Sequence, residues 1–172
     1  LETNIQYINN YYSSFGWFNT ETRFKIDTLK NKRAAITYYI ERHNPYKIGT
    51  IEKEINSPIV DSLFESAQNK SFIAKGNQYS SNDLNRERER ISRKFRNSGL
   101  FYFDPSYVEF EADSVNTNHQ VNIIYKIPDR KIRKNDTVST EPFRIHKISE
   151  VQIVTDYNYK NRNETISDST KY

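Results

Sequence analysis

The side chains best suited to acid–base or metal chemistry are three histidines, and they lie far apart, at His43, His119 and His146. A bound transition metal needs several ligands at tight spacing, and none of these histidines has a Cys, a Glu or a second His placed that way. The chain has no cysteine, so thiolate ligands and disulfides are both excluded. Carboxylates are plentiful, with Glu109, Glu111 and Asp113 alternating with Phe110 and Ala112. That pattern marks the solvated face of a strand, whereas a catalytic pair needs a pocket that separates the two pKa values. Gly-x-Ser-x-Gly, P-loop and Gly-x-Gly-x-x-Gly patterns are missing, and four glycines leave little room for a phosphate cradle. No catalytic residue, metal or cofactor is expected, and the chain is not expected to be an enzyme.

The other chemistry on offer is charge. The run from Arg86 to Arg96 is strongly basic, but Arg86 and Glu89 are three residues apart and Glu89 and Arg93 four apart. On a helix such pairs meet along the surface, so a salt-bridged solvent face is expected, with Arg86, Arg90 and Lys94 as a possible contact face for a partner or lipid headgroups. The 26 basic and 22 acidic residues nearly balance, at a net charge of +4, so nucleic acid is not required as a partner. Hydrophobic residues make up only 35%, yet 13 Tyr and 10 Phe supply large buried areas, which suits small α+β units and argues against disorder. No apolar run is long enough to span a bilayer as a helix. The absence of a signal peptide and of any Met, even at position 1, points to a piece processed or excised from something larger.

The elements that would position these residues follow from periodicity. Ile5, Ile8, Tyr12 and Phe15 recur at helical spacing and end at Gly16, a helix C-terminal glycine. Phe24 and Ile26, then Ala34, Ile36, Tyr38 and Ile40, alternate on either side of the polar turn Leu29–Lys32, which reads as a hairpin. A strand from about Tyr46 to Ile55 breaks alternation once, as at a bulge. Ser57-Pro58 opens a helix with Ser as N-cap, buried through Val60, Leu63, Phe64 and Ala67. Ser80 and Asp83 open a second helix with a capping-box pattern and a sparse apolar stripe of Leu84, Ile91 and Phe95. A second hairpin pairs Val108, Phe110 and Ala112 with Val121, Ile123, Tyr125 and Ile127. Residues 129–142 are polar and charged, a linker. A new strand is expected from Phe143 to Asp156, followed by a polar, mobile tail from Asn158 to Tyr172.

The chain also repeats itself. Gly16-Trp17-Phe18 is echoed by Gly99-Leu100-Phe101, and Tyr46-Lys47-Ile48-Gly49-Thr50-Ile51 by Phe143-Arg144-Ile145-His146-Lys147-Ile148. The offsets, 99 − 16 = 83 and 143 − 46 = 97, differ by an insertion, and a period this long indicates tandem small domains instead of a solenoid. The central β-α-α-β-β order is shared with KH RNA-binding domains, which clamp RNA through a Gly-x-x-Gly loop between the helices. The loop here, Lys75-Gly76-Asn77-Gln78-Tyr79, has one glycine only, and Gln or Tyr cannot replace the close approach that a missing Cβ permits. A KH-like RNA-binding module is therefore the alternative reading.

The order of motifs, aromatic-x-Ile-Gly-x-Ile, a Pro-started helix, Gly76-x-x-Tyr79, Asp83-Leu84, Glu87-Arg88-Glu89-Arg90-Ile91, Asn97-Ser98-Gly99-Leu100-Phe101, Phe101-Tyr102-Phe103-Asp104-Pro105 and a hairpin, resembles a POTRA (polypeptide-transport-associated) domain of the BamA/TamA-like outer-membrane assembly proteins. The resemblance implies an α+β chain of tandem β-α-α-β-β units, each a three-stranded mixed sheet with two helices on one face. Residues 1–42 would be the C-terminal part of one unit, 45–128 a complete unit, 129–142 the charged linker and 143–172 the start of a further unit with a polar tail. It further implies a periplasmic arm before an outer-membrane β-barrel, without catalytic residues. Its partners would be unfolded outer-membrane protein precursors, periplasmic or lipoprotein accessory factors and that barrel, at the periplasmic face of a Gram-negative outer membrane. An exposed strand edge adds an extended peptide as a further strand largely regardless of its sequence. By analogy with the family the edge is placed at Tyr107–Asp113, with Tyr107, Glu109, Glu111 and Asp113 as candidate contact residues.

Overall fold

The computed structural model describes residues 1–153 and 170–171. Helix α1 (Glu2–Ser13) leads into the hairpin β1 (Glu21–Leu29) and β2 (Arg33–Glu41), which pairs from Glu21 opposite Glu41 to Leu29 opposite Arg33. None of the α1 residues is buried, and Phe24, Ile26, Ile36 and Ile40 of the hairpin are all exposed. Helix and hairpin together have neither a second helix nor a buried apolar core among the described residues.

The central unit has both. Strand β3 (Lys47–Ile55), helices α2 (Pro58–Ala67) and α3 (Ser81–Asn97), and strands β4 (Glu109–Asp113) and β5 (Gln120–Ile127) follow in order. The three strands lie in the order β3-β5-β4, with β3 parallel and β4 antiparallel to β5. The register of β3 shifts between Ile48 and Ile51, at the expected bulge. In β5 each second residue, Val121, Ile123, Tyr125 and Ile127, is buried against the helices, as two-residue periodicity requires of a sheet covered on one face. Val60, Phe64 and Ala67 of α2 and Leu84, Ile91 and Phe95 of α3 complete that core. Ser80 caps α3 as expected, its hydroxyl accepting from the Asp83 N–H at 3.2 Å.

Ser57 does not cap α2 with its side chain. It is buried, and its hydroxyl donates to Asp129 Oδ1 at 2.5 Å while accepting from the Phe143 N–H at 3.0 Å. The hydroxyl instead ties two distant parts of the chain to the helix start, where first-turn N–H groups can be left to water.

Residues 129–142, expected as a linker, carry a hairpin: β6 (Arg130–Lys134) pairs with β7 (Thr137–Glu141) around Asn135-Asp136. Asn135 takes φ 52°, a left-handed conformation that Asn tolerates and a tight hairpin needs. The expected strand from Phe143 is also absent as far as Val151; only β8 (Gln152–Ile153) pairs, with β9 (Thr170–Lys171). Residues 154–156 of that expected strand, and all of the expected tail except 170–171, lie outside the described residues. Phe143 is drawn into the central core (5% exposed) against Phe103 and Tyr107, which explains why the segment leaves the extended line of a sheet.

Two joints repeat one geometry. After α1, Gly16 (φ 88°) accepts the Tyr46 N–H at 2.8 Å; after α3, Gly99 (φ 95°) accepts the His146 N–H at 2.7 Å. The structural partner of Tyr46 is therefore His146, so the second echo runs Tyr46-Lys47-Ile48 to His146-Lys147-Ile148, at an offset of 146 − 46 = 100 and not from Phe143. The β6–β7 hairpin is the extra chain between the joints.

Candidate functional site: partner-binding surfaces

The acids singled out from the sequence are gathered on the outer face of the sheet. Glu109, Glu111 and Asp113 lie opposite Lys126, Ile124 and Asn122 of β5, while Phe110 between them turns inward onto the Tyr125 ring. Glu52 and Glu54 of β3 lie opposite Ile124 and Lys126 from the other side. Lys126 bridges the two edge strands, paired with Glu111 and, at 3.5 Å, with Glu54. Both carboxylates raise its pKa above the ordinary lysine value, so it stays charged. The face is acidic around one cation.

β4 is an edge strand with no described strand on its outer side, and all of it except Phe110 is exposed. Its opening is bounded at the start, where Arg88 Nε donates to the Val108 carbonyl at 2.8 Å. The other edge is half occupied. Along β3 the Ile48 N–H bonds to Asn77 O at 2.7 Å, and Gly76 N–H to Ile48 O at 2.8 Å, so the loop between the helices covers its first part. Tyr107, the fourth edge candidate, is not in the strand. It sits in a 3₁₀ turn (Pro105–Tyr107), its ring against Phe103 and Phe143, and its hydroxyl accepts the Lys131 N–H at 3.2 Å. It anchors the β6–β7 hairpin.

The basic helix face is built differently from expectation. Glu89 does not pair with Arg86 or Arg93; Arg86 instead bonds Asp83 at 3.0 Å and lies 4.0 Å above the Phe72 ring. Arg90 turns inward to Glu87, which is fully buried (0% exposed), with contacts of 2.6 and 2.8 Å. Burial pushes the Glu87 carboxyl up, but the Arg90 guanidinium, the Phe72 amide and the Ser71 hydroxyl together hold it below its ordinary value. Arg90 also donates to the Ala67 carbonyl at 2.8 Å, closing the C-terminal end of α2. Arg86, Arg90 and Lys94 all line one groove between α3 and the end of α2, which Lys70, Phe72 and Arg93 share. Sequence reasoning missed Glu87, Lys70 and Phe72. Glu87 had a signal, since it fills the empty slot three residues after Leu84 and four before Ile91; Lys70 and Phe72 come from another part of the chain and had none.

The histidines stay apart: His43 beside Glu41 at 3.9 Å, His119 against the Tyr46 ring, His146 against Phe101 and Tyr102. Among the described residues no group of three or more His, Cys, Asp or Glu is placed to hold a metal ion, and no helix is long and apolar enough to cross a membrane.

A β-α-α-β-β unit, with the last strand central in a mixed three-stranded sheet and both helices on one face, is the arrangement the motif order led us to expect. The central unit has the α+β topology expected of a POTRA-like fold. No protein-family model matches the chain, and no curated protein matches it. Among solved structures it is similar to Haemophilus influenzae BamA POTRA3-5, at 21% identity and a TM-score of 0.39, over 72% of this chain and 45% of that one. It is also similar to BamA from Haemophilus ducreyi lacking POTRA domains 1-3, at 16% identity and a TM-score of 0.43, over 76% of this chain and 23% of that one. The chain thus spans less than half the length of either structure. The POTRA-like description rests on topology, not on these overlaps.

Proposed function

We infer that the chain is a non-catalytic periplasmic arm of an outer-membrane β-barrel assembly or translocation protein, which receives unfolded outer-membrane proteins and docks accessory factors. Residues 45–128 form one complete POTRA-like unit of that arm, 1–42 the rear of a preceding unit and 143–172 the start of a following one. The observation that carries this reading is the open edge of β4 on a sheet whose other face is sealed by helices. Free main-chain groups there bind an extended client strand through its backbone, which suits a receptor that must accept many sequences. Glu109, Glu111 and Asp113 beside the edge oppose permanent edge-to-edge pairing between copies.

The test is a double charge reversal, Glu109→Lys with Glu111→Lys, assayed for binding of a labelled peptide copied from a strand of an outer-membrane barrel. Folding is expected to persist, since both side chains are exposed and surface pairs contribute only about 0–1 kcal/mol. Peptide binding is expected to change. A folded variant that binds the peptide as the parent does would remove β4 as the client edge. Binding of single-stranded RNA that collapses steeply with salt would favour the RNA-binding alternative.

A further inference from the structure

We propose that the groove between α2 and α3 binds an acidic peptide segment. The groove encloses about 710 Å³ between α3 and the stretch that ends α2, on the side of the unit away from the acidic sheet face. Lys70 enters from one wall and Arg86, Arg93 and Lys94 from the other, and Lys70, Arg93 and Lys94 have no ion-pair partner among the described residues. Glu89 is the acid that lines it. Its apolar floor is Ala67 and the Phe72 ring, and amide side chains such as Asn69, Asn85 and Asn97 stand along the rims.

The walls are held in place before any ligand arrives. Buried Glu87 grips the Phe72 N–H at 3.0 Å and the Ser71 hydroxyl at 2.9 Å, and its partner Arg90 holds the Ala67 carbonyl. A pre-formed groove avoids the ordering cost that weakens binding to mobile surfaces.

The spacing of the cations selects the ligand class. From Arg86 to Lys94 the helix rises by roughly 12 Å at about 1.5 Å per residue, more than a single phosphate or headgroup can span. A peptide meets the whole length: carboxylates for the lysines and arginines, main-chain amides for the asparagines, one apolar side chain for Phe72. Single-stranded nucleic acid is a poorer fit, because it relies on open aromatic faces for stacking, and one face of Phe72 is already covered by Arg86. This proposal is independent of the β4 edge and survives if that reading fails.

The experiment is fluorescence anisotropy at low salt with a labelled peptide of glutamates around a central leucine, alongside a lysine counterpart, a single-stranded oligonucleotide and anionic vesicles. Saturable binding of the glutamate peptide is expected. It should weaken about tenfold in Arg93→Glu with Lys94→Glu, and remain unchanged in Glu109→Lys with Glu111→Lys. Both groove positions are exposed, so the fold should persist; Arg93→Gln with Lys94→Gln serves if the reversal does not fold. The proposal is overturned by no saturable binding, by equal binding of the lysine peptide, or by an unchanged affinity in the groove variants. Tighter binding of the oligonucleotide or vesicles would overturn it too, as would self-association that those variants abolish, which would assign the groove to a second copy.

Discussion

Glu87 shows how one buried charge sets both stability and surface. It is fully enclosed, and its carboxylate is satisfied by Arg90, the Phe72 amide and Ser71. Truncating one member of such a pair strands the other, so Glu87→Ala should cost about 3 kcal/mol in urea denaturation, and Arg90→Ala a comparable amount. The double variant should lose clearly less than the two combined, because the second change removes a group already stranded. The folded Glu87 pKa lies below its ordinary 4.5, so its contribution is complete above that pH and is lost as the pH falls through the depressed folded value. In Arg90→Ala burial without the guanidinium pushes the Glu87 carboxyl up, so the stability gap to the parent should shrink as the pH falls toward and below 4.5, read by urea denaturation followed by circular dichroism. The glycines separate two costs at the same scale. At Gly99 an added Cβ would meet the His146 carbonyl oxygen and Ile145 Cγ2 at 2.8 Å, whereas at Gly76, also left-handed, it meets nothing. Gly76→Ala should cost about 1 kcal/mol and Gly99→Ala distinctly more, together with release of the 143–148 segment seen as faster amide exchange at His146.

At the scale of elements, periodicity made much of the fold readable. The helices α2 and α3, the core face of β5 and the strand bulge all follow from the spacing of a few apolar residues. The β6–β7 hairpin did not, because its strands offer little beyond Ile132 and Val138 to mark a buried face. Its signal was the Asn135-Asp136 turn, outweighed by the charge around it. The basic face was legible as a set of residues on α3, but the opposite wall of the groove is set by tertiary packing that one stretch of sequence does not encode. The segment from Arg130 to Phe143, hairpin included, acts as a strap across the central unit. Arg130 lies 3.6 Å above the Tyr102 ring, and Phe143 is buried against Phe103 and Tyr107. Arg130→Ala should thus cost roughly 0.5–1 kcal/mol, and Phe143→Ala about 3 kcal/mol, measured by chemical denaturation. Equal losses would mean that Phe143 is not anchored in the core.

On the scale of the whole molecule, the segment from α1 to β2 is attached to the central unit by more than a tether. The carbonyls of Ser14, Phe15 and Gly16 accept from Ser81 N–H, the Gln78 side chain and Tyr46 N–H, and Phe18 packs on both Tyr46 and Tyr79. A chain without cysteines takes spin labels cleanly, at Asn10→Cys and Glu89→Cys. The distance distribution between them should be narrow, and should broaden in Phe18→Ala; a broad parent distribution would contradict a fixed joint. Both joints, at Gly16 and at Gly99, are made through main-chain N–H and C=O groups against a residue with no side chain. A connection of that kind asks almost nothing of the surrounding residue types, so Tyr46 can stand where His146 stands, and Trp17 where Leu100 does. Residue types beside such a contact can therefore change, and a hairpin such as β6–β7 can lie between two of them, without altering the main-chain bond itself.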